Sequence, residues 1–409
     1  EDSREIDRGI PMKKIGLVVS SVFSMGGEQR VTAVIANELA KEYEVTIFTK
    51  DTKEEIVKNP YQVSSDIKII TYQDPHLNKA SRILRRILRE INERTGLWYQ
   101  KKSAVKLLRY AYFPKKWRKE WIQMLSGEPF DWIIGVSGGN SIRLGLIADK
   151  LNAKTAGWEH NAYEAYFETP HKYFWHMDAL FGESARAMDA CVVLNDYIAG
   201  KYREAFDVSC KVIYNPRSFV SEKKSPLAQK TFITCGRFTY QKGYDLLLQS
   251  FKYFVEQNKE WKLVMVGDGE QKEELRQMVK DYGLSDYVEM PGRTDRVQDY
   301  LMNASVYLLS SRWEGFPMVV TEAFEMGLPV ASYDITAVVP LITDGVQGRL
   351  AKAYDTRDFA RIMLEMTENH EALEQMAAKA VEMAETLSVE HIMVQWKNLL
   401  ETEGKGVAV

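Results

Sequence analysis

Short apolar runs closed by glycine, proline or polar turns punctuate this chain at residues 15–19, 45–49, 132–136 and 153–157. They recur near 231–235 and at 262–266, 288–290, 306–309 and 330–333. Each has the length and the β-branched content of a buried strand. Between them the apolar spacing changes to a period of about 3.6 residues, the mark of a helix with one buried face. Such stretches cover 30–41, 246–254, the segment after Pro317 and 389–401. Strand and helix alternating in this way predict parallel sheets with crossover helices, an α/β class. The series runs twice, predicting two Rossmann-like domains at residues 12–215 and 216–385, with 386–409 as a closing helix. The junction falls within 215–230, where Pro216, Pro226 and several Lys and Ser break the rhythm. Residues 1–11 are polar and are read as an extension ahead of a native start at Met12.

The turns that close the strands carry the candidate chemistry, and ligands of open α/β sheets bind at that edge. Gly236-Arg237 and Lys242-Gly243 follow the strand near 231–235, Gly267-Asp268-Gly269 follows 262–266, and Gly292-Arg293 follows 288–290. After 306–309 comes Trp313-Glu314-Gly315-Phe316-Pro317-Met318-Val319, with Glu322 eight positions beyond Glu314. A helix opening after Pro317 presents unpaired amides and a positive dipole end to an anion such as a diphosphate. A carboxylate ahead of that point, Glu314, suits sugar hydroxyls, and one beyond it, Glu322, suits a ribose. Arg237 and Lys242 would neutralise charge growing on a leaving diphosphate. The spacing fits a nucleotide-sugar, although two glutamates in a chain with 57 acidic residues also occur on an ordinary solvated helix face.

Charge changes the picture in one place. Residues 79–121 hold fourteen Lys or Arg against three Glu, a net of +11 in a chain whose total is −3. In 82–91 the apolar Ile83, Leu84, Ile87, Leu88 and Ile91 fall on one helical face, with Arg82, Arg85, Arg86 and Arg89 opposite. Basic residues followed by interleaved tryptophans and tyrosines suit an anionic membrane surface. The plainer alternative is an amphipathic helix whose apolar face joins the core and whose arginines are solvated. Nothing resembles a nucleic-acid module. The composition, 45% hydrophobic in 409 residues, supports two cores. Three widely spaced cysteines indicate neither a disulfide framework nor a zinc site, which fits a cytoplasmic location. The absence of Asp-x-Asp argues against a metal-bridged diphosphate, and Gly-x-Gly-x-x-Gly follows none of the strands, which argues against a dinucleotide enzyme.

Taken together, Gly26-Gly27-Glu28-Gln29-Arg30, Glu159-His160-Asn161, Asn215-Pro216, Gly236-Arg237, Lys242-Gly243, Gly267-Asp268-Gly269, Gly292 and the Glu314 to Glu322 run resemble the family 4 retaining glycosyltransferases. Within them the chain looks most like bacterial enzymes of lipid-linked oligosaccharide and exopolysaccharide assembly, including the amylovoran type and the GalNAc transferases of N-glycosylation. The resemblance implies a GT-B fold: two Rossmann-like domains facing a central cleft, the last helix crossing back to the first domain. It implies a UDP-sugar donor, a lipid-diphosphate-linked saccharide acceptor, no metal or other cofactor, and work at the inner membrane face. The expected catalytic set is Arg237, Lys242, Glu314 and His160, a histidine alone being otherwise more often structural. Donor contacts are expected from Gly27, Gly236, Arg293, Glu322 and the amides of Phe316, Met318 and Val319. Arg30 is expected at an acceptor phosphate, and Arg82, Arg85, Arg86 and Arg89 at acceptor or membrane. A sugar-nucleotide epimerase of the same architecture and a UDP-binding protein without activity are the rival readings.

Overall fold

A computed structural model describes residues 12–401; residues 1–11, with the expected extension, and 402–409 lie outside the described part. The chain divides into two compact units. One runs through Ile213 and takes up the chain again from Met393, and the other is Tyr214–Ile392.

The first unit is built on seven strands: β1 (Lys14–Val18), β2 (Glu44–Thr49), β3 (Lys68–Thr71), β4 (Trp132–Val136), β5 (Lys154–Trp158), β6 (Ala190–Val193) and β7 (Lys211–Val212). They lie in the order β3-β2-β1-β4-β5-β6-β7, every pair parallel. The order reverses its sense at β1, between β2 and β4, so the loops after β1 and β4 diverge there to opposite faces. β1, β2, β4 and β5 read as near-continuous apolar runs because helices cover both faces. The helices that matter below are α1 (Gly27–Leu39), α2 (Lys79–Thr95), α3 (Val105–Tyr112), α4 (Lys115–Leu125) and α5 (Gly138–Gly145).

The second unit carries β8 (Thr231–Cys235), β9 (Lys262–Val266), β10 (Val288–Gly292), β11 (Val306–Leu309), β12 (Val330–Tyr333) and β13 (Gly348–Ala351). Their order is β10-β9-β8-β11-β12-β13, again all parallel. Here α6 (Tyr244–Val255) follows β8 and α7 (Met318–Glu325) follows β11, while α8 (Val389–Glu401) ends the described chain. The proline-broken segment after Ile213 is not loose. Arg217 and Lys224 each pair at 2.6 Å with Glu325, which is 1% exposed, and the Ser221 amide donates to the same carboxylate at 2.8 Å.

From Met393 onward α8 packs within the first unit. Trp396 is fully buried and meets Trp158 edge-on with ring centroids 4.8 Å apart. The Leu400 carbonyl accepts from Trp132 Nε1 at 3.1 Å, and Lys397 pairs with Glu42 at 2.5 Å. Among the described residues no helix is long and apolar enough to cross a membrane.

Candidate functional site

In the second unit the expected residues converge at the carboxyl ends of β8 and β11. Gly243, at φ +63° directly before α6, sits so close to β11 that a Cβ there would lie 2.1 Å from the Ser310 carbonyl oxygen. That approach seats Lys242 beside the β11 turn. Its Nζ pairs with Glu314 Oε1 at 2.6 Å, and Ser311 Oγ donates to the same oxygen at 2.6 Å. Gln241 Nε2 donates to the Trp313 carbonyl at 3.0 Å. Glu314 is 7% exposed, so its charge is compensated by Lys242 rather than by water. The turn is fastened from behind by Arg312, which makes a two-pronged pair with Asp245 at 2.9 and 2.7 Å and lies 3.9 Å over the Tyr240 ring. Hydrogen bonding and the guanidinium charge hold the Asp245 carboxyl below its ordinary range despite its burial.

Glu322 lies in the second turn of α7 and is buried. Burial pushes the neighbouring Cys235 thiol up, with the Glu322 charge adding to the effect, which places that carboxylate near the end of β8. Gly236 follows on from Cys235. Arg237 and Arg293 are exposed at the ends of β8 and β10, and among the described residues no ion pair holds either. One expectation is corrected. The Met318 N–H does not wait for a ligand, because the tight turn closes on itself and Met318 donates to the Phe316 carbonyl at 2.9 Å. The amides of Phe316 and Val319 take no such bond among the described residues.

In the first unit, Tyr61 brackets the loop after β1: its hydroxyl accepts from the Gly26 amide at 2.7 Å and donates to the Gly26 carbonyl at 3.1 Å. Gly27 then opens α1 exposed, and Arg30 lies in its first turn, 5.9 Å over the Tyr61 ring. His160 follows β5 with its ring 4.3 Å from that of Trp158. Its Nε2 is buried without a partner, and burial drives its pKa down to about 3, so the imidazole is neutral.

The basic segment reverses the expected arrangement. Arg85 is not on an outer face: it is 3% exposed and donates to the carbonyls of Tyr110, Ala111 and Tyr112 at 3.2, 2.9 and 3.0 Å. Those carbonyls end α3, where a cation is favoured by unpaired acceptors and by the dipole. Asn92 points the same way and donates to the His176 carbonyl at 2.7 Å. One strip of the polar face of α2, Arg85 and Asn92, therefore packs inward, and Ile83, Leu84, Ile87 and Ile91 are left 38–52% exposed. For Arg85 neither the solvated-arginine alternative nor a membrane role survives this packing, whereas Arg82 and Arg86 are exposed. Arg82, Arg86 and Arg89 remain beside a cavity of about 770 Å³ that is also lined by Lys79, His76 and Trp117.

Ser137, which sequence reasoning passed over, and Glu28 and Glu159, which it quoted only within motifs, meet around the first unit's strand ends. Ser137 Oγ donates to Glu28 at 2.5 Å, and Glu159 is 1% exposed with neither oxygen bonded. Burial raises the Glu159 pKa to about 7, and raises that of Glu28 as well. Glu159 was visible in the sequence beside His160; nothing in the local pattern marked Ser137, which meets Glu28 only in the fold.

Residues 217–383 match the family described as glycosyl transferases group 1. An uncharacterized glycosyltransferase of Haemophilus influenzae is 27% identical over 95% of this chain and all of its own length. The amylovoran biosynthesis glycosyltransferase AmsD of Erwinia amylovora is 30% identical over 42% of this chain and 48% of its own. Among solved structures, a variant of TarM from S. aureus, crystallised with UDP, superposes with a TM-score of 0.72 at 17% identity, covering 96% of this chain and 100% of TarM.

Proposed function

Starting from a chain whose residues 217–383 match the group 1 glycosyl transferases and whose two parallel sheets have the GT-B architecture, we propose that it moves a hexose or N-acetylhexosamine from a UDP-sugar to a polyprenyl-diphosphate-linked saccharide. The anomeric configuration is retained and no metal is needed. The observation that carries this reading is the Lys242–Glu314 pair, held at the ends of β8 and β11 where Gly243 brings the two turns together. A diphosphate arriving beside Lys242 draws the ammonium to itself and frees Glu314 to accept hydrogen bonds from the sugar. Arg237 supplies the second cation, Glu322 takes the ribose, the amides of Phe316 and Val319 face the donor, and Arg293 lies near the base. The leaving phosphate can take the acceptor's proton on the same face, so the protein's task is stabilising charge. Neutral His160 donates or accepts a hydrogen bond near the transferred sugar, with Gly27 closing over the donor and Arg30 meeting acceptor phosphate.

The lipid part of the acceptor is supported by α2. An exposed apolar face beside a basic cavity suits a surface where acyl chains and phosphates lie together, on the inner face of the cell membrane. AmsD's role in amylovoran biosynthesis points to the same class of product. The test is direct: UDP-Gal, UDP-GalNAc, UDP-Glc and UDP-GlcNAc are screened by thermal shift, then incubated with alkyl-diphosphate-linked N-acetylglucosamine and with its disaccharide homologues, with and without a chelator. Transfer with a retained anomer is expected from one donor. Conversion of the donor to its epimer without acceptor would establish the epimerase instead, and UDP binding with no turnover of any donor would leave a non-catalytic protein.

A further inference from the structure

The walls of the cavity of about 770 Å³ beside α2 are fastened before anything enters it. The segment after β3 forms one wall. Trp117 Nε1 of α4 donates to the Pro75 carbonyl at 2.9 Å, and Lys116 Nζ of the same helix donates to the His76 carbonyl at 2.9 Å. Asp74, the single carboxylate lining the cavity among the described residues, accepts from Lys50 at 2.6 Å and from both prongs of Arg143 at 2.9 and 3.2 Å. Its charge is neutralised there. The Trp117 ring in turn has two guanidiniums against it, Arg85 at 4.9 Å and Arg143 at 5.2 Å.

What α2 brings to this cavity is positive charge without a counter-ion. Lys79, Arg82, Arg86 and Arg89 follow one another at i, i+3, i+7 and i+10, a single stripe of the helix, and all of them line the cavity. Among the described residues no carboxylate pairs with any of these cations, and Glu90 of the same helix is taken by Arg94 at 2.5 Å. The first turn of α2 carries no acidic residue, although Lys79 and Arg82 stand where the helix dipole is itself positive. Such a helix start repels itself until an anion arrives. Burial lowers the pKa of Arg85, and the charges of Arg89 and Arg143 lower it further, so the same positive field is felt behind the stripe. At the rim, Ile83 belongs both to this cavity and to the exposed apolar face of α2.

We propose that this cavity seats the diphosphate of the acceptor, and that it makes the protein choose diphosphate-linked over monophosphate-linked saccharides. This rests on the transferase reading above and gives its acceptor a discrete site in the first unit. Arg82 and Arg86, one turn apart, each present a fork that matches two phosphate oxygens. Two phosphates joined through one oxygen fill both forks, whereas a lone phosphate fills one. A diphosphate diester also brings two negative charges to the unpaired Lys79, Arg82, Arg86 and Arg89, and a phosphate diester brings one. Because the walls are already fastened, little ordering opposes binding. The lipid leaves over Ile83 onto the exposed face of α2. A bilayer surface needs exposed cations but no walled recess, which is why the recess is assigned to one headgroup. Arg30 stacks over Tyr61 outside this lining, so substitution separates the two candidates for the acceptor phosphate.

The experiment titrates octyl-linked N-acetylglucosamine, joined through diphosphate or through monophosphate, into the full chain saturated with UDP, read by calorimetry without vesicles. Wild type is expected to bind the diphosphate compound about tenfold more tightly. Arg82→Gln with Arg86→Gln should bring the two affinities to within about twofold of each other, with the melting temperature and the thermal shift by UDP close to wild type. Arg30→Gln should keep the full preference. A wild type without the preference, a double variant that retains it, or an Arg30→Gln chain that loses it overturns the proposal. So does a double variant that binds both soluble compounds as wild type does yet no longer binds phosphatidylglycerol vesicles, since that outcome gives the arginines to the bilayer. The titration needs no turnover. A chain that prefers the diphosphate compound but transfers no sugar would therefore sink the transferase reading and leave the diphosphate site standing.

Discussion

Lys242 and Glu314 illustrate how a pair can be worth more as a pair than either member is alone. Removing the lysine leaves a carboxylate 7% exposed with Ser311 as its closest partner. Lys242→Ala is therefore expected to lower stability by about 1–3 kcal/mol and turnover by about tenfold or more. Adding Glu314→Gln in the same chain should restore most of the stability, read from denaturant midpoints, and none of the turnover. Glu159 offers a second prediction of known sign. Its pKa is raised in the folded state from an ordinary 4.5 to about 7, so its contribution to stability is full below pH 4.5 and is lost as pH rises to about 7. The loss amounts to about 3 kcal/mol. Glu159→Gln, which cannot ionise, should melt above wild type at pH 8, and the gap should shrink as pH falls toward 4. A gap independent of pH would mean that Glu159 is already ionised in the folded protein. The Glu28–Ser137 meeting spans 109 positions of sequence, which is why no local pattern showed it.

At the scale of the element, α2 shows where periodicity stops informing. The spacing in 82–91 gives a helix with an apolar and a basic face, and the helix is there. Which face packs inward depends on a neighbour, and here the neighbour is the bare end of α3, whose carbonyls are better served by Arg85 than by an isoleucine. Ile87→Ser with Leu84→Ser should thus weaken binding to anionic liposomes while raising the yield of soluble protein. Arg85→Met should lower the melting temperature instead, since it strips three carbonyls of their donor. Equal liposome binding by the serine variant and wild type would remove the membrane role from this face. Glu325 makes a parallel case in the segment read from its prolines as a linker. Two cations and an amide converge on that carboxylate, so Glu325→Ala should cost about 3 kcal/mol, measured by urea unfolding. Four strands, β3, β6, β7 and β13, escaped the reading from sequence. β7 has two residues, β13 begins Gly-Arg, and β3 is open to solvent at both ends, so their apolar runs are too short to stand out; β6 is as apolar and buried as the strands that were read. The strands flanked by glycine turns were legible because those turns and those runs are adjacent in sequence.

Over the whole molecule, the chain leaves the first unit at Ile213 and re-enters it at Met393. Its core is therefore assembled from two stretches separated by all of the second unit, and Trp396 fills it against Trp158. Residues 214–392 form a continuous piece and should fold when expressed alone, with the near-ultraviolet signal of fixed aromatic packing and a cooperative melt. Residues 12–213 alone should lack such a melt until a peptide covering 389–401 is added. A sharp melt of 12–213 without the peptide would show that α8 is dispensable. The same arrangement has a consequence for synthesis. The ribosome makes about 5–20 residues per second, so the seven-stranded sheet must wait on the order of ten seconds or more, with the Trp158 surface uncovered, while the second unit emerges and closes. During that interval the growing chain exposes apolar surface that a chaperone can hold, and a stall just after residue 392 would release a first unit lacking its last helix alongside a finished second one.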